Sequence, residues 1–214
     1  MLPLSFPRVD DRLVEAEVTR DEIIGGHRIV VPFALEPHAR RHSQLNYVVR
    51  AHTATGYFAA SDLLTRIDQQ SDFATDTCIC KEGVDPTAGA RYLEDVTFQV
   101  VSERNEQWVT EKARRMHRRG VRRIFSVWVK TQRVCEWSPE RGGWLPQKDN
   151  LRIEDPCLVT PLPVRALLDQ QEADNAVVGA LYAKGNPRLL SLLAEAEARG
   201  VAKGREHART TSEP

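Results

Sequence analysis

No run of about 18 apolar residues occurs in the 214-residue chain, so a transmembrane helix is not expected. The opening stretch MLPLSFPRVDD lacks a basic start leading into a long apolar core. No secretory signal is therefore expected, and the reading is of a cytoplasmic protein. Net charge is also absent, because 30 Lys and Arg balance 30 Asp and Glu. That excludes a general polycation and leaves any nucleic-acid affinity to a local patch. Cysteine is scarce: Cys78, Cys80, Cys135 and Cys157 form one C-x-C and two distant singles. Without C-x-x-C spacing or a nearby histidine pair they do not read as a zinc site, but as reduced, mostly buried thiols. There is no glycine-rich phosphate loop, no dinucleotide fingerprint and no internal repeat. The i, i+4 pair His38 and His42 lacks the acid of an H-E-x-x-H motif, so its histidines read as surface or capping residues.

What is present is the pattern of a soluble globular chain, 41% hydrophobic and 28% charged. Residues 1–20 read as a polar lead-in. DEIIGGHRIVVP places two short apolar runs around Gly25-Gly26, a hairpin signal. After Pro37, the spacing of Leu45, Val48 and Val49 predicts an amphipathic helix. YFAAS, LLTRID and TDTCIC read as strands, and VTFQVV as a buried strand. Ser102 to Asn105 can cap the next helix, with Gly120 as its C′ residue. IFSVWV and RVCEW then read as a hairpin. The expected architecture is α/β (α+β), a mixed central sheet flanked by helices over 21–154. A proline-rich connector and C-terminal helices follow over 155–208, and a disordered tail over 209–214. Leu189, Leu192, Leu193 and Ala196 form a narrow stripe that could pack on the domain or on another chain.

Two residues break these patterns. Alternation puts Val96, Phe98 and Val100 on one face of their strand and Thr97, Gln99 and Val101 on the other, so Gln99 is an amide in mid-sheet. Trp108, Lys112 and Met116 lie in one row of the helix, which points Lys112 toward the sheet or along its edge. A buried amide without hydrogen bonds costs about 1–3 kcal/mol, so Gln99 needs partners. A satisfied core amide and a snorkelling lysine would produce the same pattern. The chemical alternative adds Asp76, the one acid in TDTCIC, with Asp95 as a further candidate. Oxygens from Asp76 and Gln99 could hold a hard divalent cation, and Lys112 could orient water or stabilise developing negative charge. The run RRMHRRGVRR could clamp phosphates or be a solvated helix face.

These segments resemble the Uma-type restriction endonucleases, a bacterial group within the PD-(D/E)XK nuclease superfamily. SDFATD ends in Asp76 where the family has a P-D pair, with Thr75 in the proline's place. EDVTFQVVS matches the later P-D-L-V-V-E-V-L-S strand, with Gln99 in the glutamate's place. EKARRMHRRGVRRIFSV matches the helix and following strand, with Lys112 before Gly120-Val121. DEIIGGHRIVV is similar to the family's E-L-I-D-G hairpin, and His38 and His42 fall where the family has P-x-x-H. The match spans residues 18–145, about 60% of the chain.

The resemblance implies a restriction-endonuclease-like core and a metal-dependent endonuclease acting on DNA. It implies Asp76, Gln99 and Lys112 as catalytic residues, and Mg²⁺ or Mn²⁺ held by Asp76, Gln99 and Glu22. Arg114, Arg115, Arg118, Arg119 and Arg122 would be placed along the phosphate backbone. Gln99 removes one formal charge from the ligand set, and some nucleases of the superfamily use Gln at such positions. The alternative is a nuclease fold that no longer cuts and instead binds nucleic acid or a protein partner. A homodimer through a sheet edge or the C-terminal helices is a further expectation.

Overall fold

The computed structural model describes residues 20–31, 35–102 and 106–210. Residues 1–19, the helix cap expected within 103–105 and the end of the tail lie outside the described residues. The chain opens with a hairpin, β1 (Arg20–Ile24) and β2 (His27–Val31). Gly25 and Gly26 form its turn with φ of 59° and 79°, a conformation that glycine adopts without steric cost. Helix α1 (Glu36–His52) follows, with Pro37 in its first turn, where the missing N–H leaves no helical bond unmade. A long hairpin comes next, β3 (Tyr57–Asp68) and β4 (Ser71–Lys81), so the two short runs expected at 57–68 form one strand. The small pair β5 (Val84–Asp85) and β6 (Ala90–Arg91) leads into β7 (Glu94–Val101).

Helix α2 (Glu106–Arg119) carries the chain to β8 (Arg123–Trp128), which pairs parallel to β7. Gly120, at φ 117°, ends α2: its N–H and that of Val121 both reach the Met116 carbonyl, a closure favoured by a residue able to take positive φ. Then come β9 (Arg133–Ser138), β10 (Gly143–Pro146), β11 (Arg152–Ile153) and β12 (Leu162–Pro163). After a 3-10 turn, helices α3 (Gln170–Ala183) and α4 (Pro187–Thr210) end the described chain. The fold is therefore the expected mixed sheet flanked by helices. Its eight-stranded sheet runs β10-β9-β8-β7-β4-β1-β2, with β3 also paired to β4.

Two apolar layers sandwich the sheet. Val96, Phe98, Val100, Phe125 and Val127 face Leu45, Val48 and Val49 of α1, and Ala173 and Val177 of α3 join that cluster. The C-terminal stretch thus adds side chains to the main core. Ile24, Ile67, Phe73 and Ile124 face Ala113 and Met116 of α2. Each large side chain so buried contributes about 1.5–3 kcal/mol relative to exposure. Helix α4 is different: of its stripe, Leu189 is half-buried, while Leu192 and Leu193 are 41% and 47% exposed. All four cysteines are free and buried. Among the described residues no helix is long and apolar enough to cross a membrane.

Candidate active site at the fork of the sheet

Strand β4 has two edges. β3 holds one along nearly its whole length. On the other, β7 pairs with residues Thr77 to Cys80, and β1 pairs at Asp72. Between these two partners lies a fork in the sheet. At its apex the ladder hydrogen bond is replaced by a side chain: Val100 N–H donates to Asp76 Oδ2 at 2.7 Å.

The strand is irregular at this same point. Phe73 belongs to the cluster under α2 and Ile79 to the cluster under α1, although an even spacing keeps side chains on one face of a regular strand. Thr77 already faces α1, where its hydroxyl donates to Asn46 Oδ1. The slip therefore falls between Phe73 and Thr77, around Asp76. Across the ladder, Asp62 sits between the pairs Ser61↔Thr77 and Leu63↔Thr75 and has a φ of 51°. Aspartate tolerates that left-handed region better than most side chains. The break between the two apolar runs YFAAS and LLTRID thus marks a kink inside one strand.

Lys112 enters the fork from α2. It is 3% exposed, and its ammonium donates to Glu22 Oε1 and to the Ala74 carbonyl, each at 3.0 Å. It also lies 4.8 Å from the centre of the Phe73 ring. Glu22, 1% exposed, comes from β1. One step along the β1–β4 register from Ile23↔Asp72 puts it opposite Phe73. A lysine and a glutamate this deep are tolerated because each neutralises the other. Glu22, expected beside the metal, thus has the lysine as its neighbour.

Gln99 is 3% exposed and faces α2, as alternation predicts; its amide N–H approaches Met116 Sδ at 3.9 Å. Lys112 and Met116 lie on the buried side of α2 with Val109 and Ala113, while Trp108 packs partly buried at the edge of that cluster. The structure therefore places Lys112 and Gln99 under one helix, and Asp76 bonds to the residue next to Gln99.

His42, read from sequence as a surface or capping residue, is instead a partner of this strand: its Nε2 donates to the Asp76 carbonyl at 2.6 Å. His42, Asp62 and Asp76 each offer a ligand atom, all within 4.8 Å of one another. Asp62 was missed because one exposed aspartate between two apolar runs carries no periodic signal.

The arginine run divides. Arg114 pairs with Glu111 at 2.5 Å. Arg115 bonds Glu111 at 2.7 Å and Asp68 at 2.8 Å, and these partners hold its guanidinium charged. Arg122 grips both oxygens of Asp155, at 2.7 and 2.8 Å, and bonds Asp95 at 3.0 Å. Arg122 is therefore engaged by carboxylates at the bottom of β7 and β8. Arg118 and Arg119 are exposed and line an open groove of about 520 Å³ beside Asp68, Gln69 and Gln70.

No protein-family model and no curated protein matches the chain. Among solved structures, the chain is similar to one from Anabaena variabilis ATCC 29413 described as "a putative nuclease belonging to DUF820". The TM-score is 0.58 and the identity 15%, covering 69% of this chain and 89% of that one. At that identity the likeness is one of fold, and this chain shares a nuclease-like architecture.

Proposed function

We propose that the protein is a metal-dependent endonuclease that hydrolyses phosphodiester bonds of DNA at the fork between β4 and β7. The observation that carries this reading is the placement of Lys112: a buried ammonium held between Glu22 and the Ala74 carbonyl, in a fold like that of a protein described as a nuclease. Charge is rarely buried without function or a partner, and here a fixed partner aims the charge at the gap between strands.

The residues fit a divalent ion. Asp76 supplies a carboxylate oxygen, and no hydrogen bond to the Gln99 side-chain oxygen is found among the described residues. When bound, the ion would polarise the phosphate and lower the pKa of a ligated water. The chain's own groups do the rest. Glu22 holds the ammonium of Lys112 in place. That ammonium stabilises negative charge developing on the phosphoryl oxygens. Arg118 and Arg119, at the exposed end of α2, hold the flanking backbone.

Gln99 favours a second reading, a nuclease fold that binds nucleic acid without cutting it. Its neutral oxygen is a weaker ligand than a carboxylate. Supercoiled plasmid and single-stranded DNA, incubated with Mg²⁺ or Mn²⁺ and wild type, Asp76→Asn or Gln99→Glu, separate the two. Cleavage by wild type that Asp76→Asn abolishes and Gln99→Glu increases supports the enzyme. If wild type and Gln99→Glu are both inert, the enzyme reading fails, and DNA retention by the inert protein supports binding.

A further inference from the structure

We infer that the ion seat of this fork is built by His42, Asp62 and Asp76, and that it takes a first-row transition ion such as Mn²⁺ or Zn²⁺ in preference to Mg²⁺. The inference deepens the nuclease reading and, as a statement about that enzyme's ion, rests on it. As a binding site it is tested without substrate.

Three segments converge here: α1 brings His42, the kink of β3 brings Asp62, and the slip of β4 brings Asp76. Their ligand atoms all lie within 4.8 Å of one another. Ligands at about 2.0–2.3 Å on opposite sides of one ion are separated by no more than roughly 4.6 Å, so the cluster has the size of a coordination shell. The ligand chemistry selects the ion. Two carboxylates alone suit Mg²⁺ or Ca²⁺, whereas an added imidazole shifts preference toward Mn²⁺, Fe²⁺, Co²⁺ or Zn²⁺.

His42 is also anchored independently of any ion. Its Nε2 N–H is fixed on the Asp76 carbonyl, so the imidazole and the carboxylate beside it move as one unit. Such hydrogen bonds to groups at a metal site orient the ligands. Asp62 is exposed, which leaves the outer side of the cluster open to water or a phosphate oxygen, as catalytic metal sites require. A second carboxylate, Asp62 from β3, would restore the formal charge missing at Gln99. Glu22 is excluded from this shell by its ion pair with Lys112 on the α2 side.

The test is calorimetric titration of the full-length, chelator-stripped protein with MnCl₂ and, separately, MgCl₂. Wild type, Asp62→Asn, His42→Ala and Glu22→Gln are compared, with circular dichroism melts to confirm folding. One Mn²⁺ per chain, bound at least about tenfold more tightly than Mg²⁺, is expected. Asp62→Asn and His42→Ala should each weaken it about tenfold or more, and Glu22→Gln should leave it within about threefold. Asp62 is exposed, so its variant remains informative if His42→Ala does not fold. Equal affinity for the two ions, or an affinity that only Glu22→Gln lowers, overturns the inference. If DNA is still cut in that case, the nuclease reading survives. Absence of binding by either ion overturns the seat, and inert protein in the cleavage assay separately overturns the enzyme.

Discussion

Two clusters in this molecule gather the same kinds of side chain and put them to opposite uses. Asp95, Asp155 and Cys157 offer ligand atoms as close together as those of His42, Asp62 and Asp76. The first set, however, is closed by cations: Arg122 takes both oxygens of Asp155, and Arg123 reaches it at 3.3 Å. That guanidinium fork and the Cys157 N–H hold the Asp155 carboxyl well below the ordinary carboxylate range against the opposing effect of burial. Burial, helped by the same carboxylate, pushes the Cys157 thiol far up. This cluster pins the segment after β11 to the ends of β7 and β8. In the second set Asp76 meets an imidazole at its carbonyl and a backbone N–H at its carboxylate. Proximity of acids says little, then, until the counter-charge is identified.

Removing the counter-charged carboxylate should have the largest effect. Asp155, 1% exposed, satisfies two arginines, so Asp155→Ala is expected to cost about 2–3 kcal/mol in urea denaturation. Asp62→Asn, which keeps a side chain that tolerates the left-handed φ of this position, should cost under about 0.5 kcal/mol. A divalent ion should invert this order. Mn²⁺ at a hundredfold over its dissociation constant should stabilise wild type by about 2.7 kcal/mol, and Asp155→Ala by as much, but Asp62→Asn by far less. Equal stabilisation of all three would remove the distinction between the clusters.

Acid sharpens the contrast further. Because the folded pKa of Asp155 is depressed, its contribution is fully present above the unfolded value of about 3.9 and is lost as pH falls below it toward the folded value. Asp155→Asn should therefore flatten the loss of stability below about pH 4, measured by thermal melts across pH. The smallest effect is expected from Arg118→Ala with Arg119→Ala. Folding should be unchanged, while the slope of log affinity for DNA against log salt should fall by about 1.8 if each contacts one phosphate.

How much of this was legible beforehand depended on whether a residue's role was local. The periodicity of VTFQVV and of Trp108, Lys112 and Met116 set Gln99 and Lys112 facing one another's element, and both are buried there. The stop at Gly120 needed only the helix it ends. The carboxylate partner of Arg122 was not legible because Asp155 lies 33 residues away. His42 and Asp62 escaped notice because their significance arises only where β4 slips and β3 kinks, and neither irregularity has a sequence period.

The turn at Gly25 gives the buried ion pair a second point of alignment. A methyl group there would fall 2.6 Å from Arg115 Nη2, so the end of the Arg115 side chain, reaching from α2, lies directly against the turn of the first hairpin. Gly25 follows Glu22 by three residues on the hairpin, and Arg115 follows Lys112 by three on the helix. Glutamate and lysine are thus aligned twice, by charge inside the fold and, at its rim, by the Ser71 hydroxyl, which accepts from the Gly25 N–H and from the Arg115 guanidinium. A larger residue at position 25 would have to adopt the same positive φ and push the Arg115 guanidinium aside.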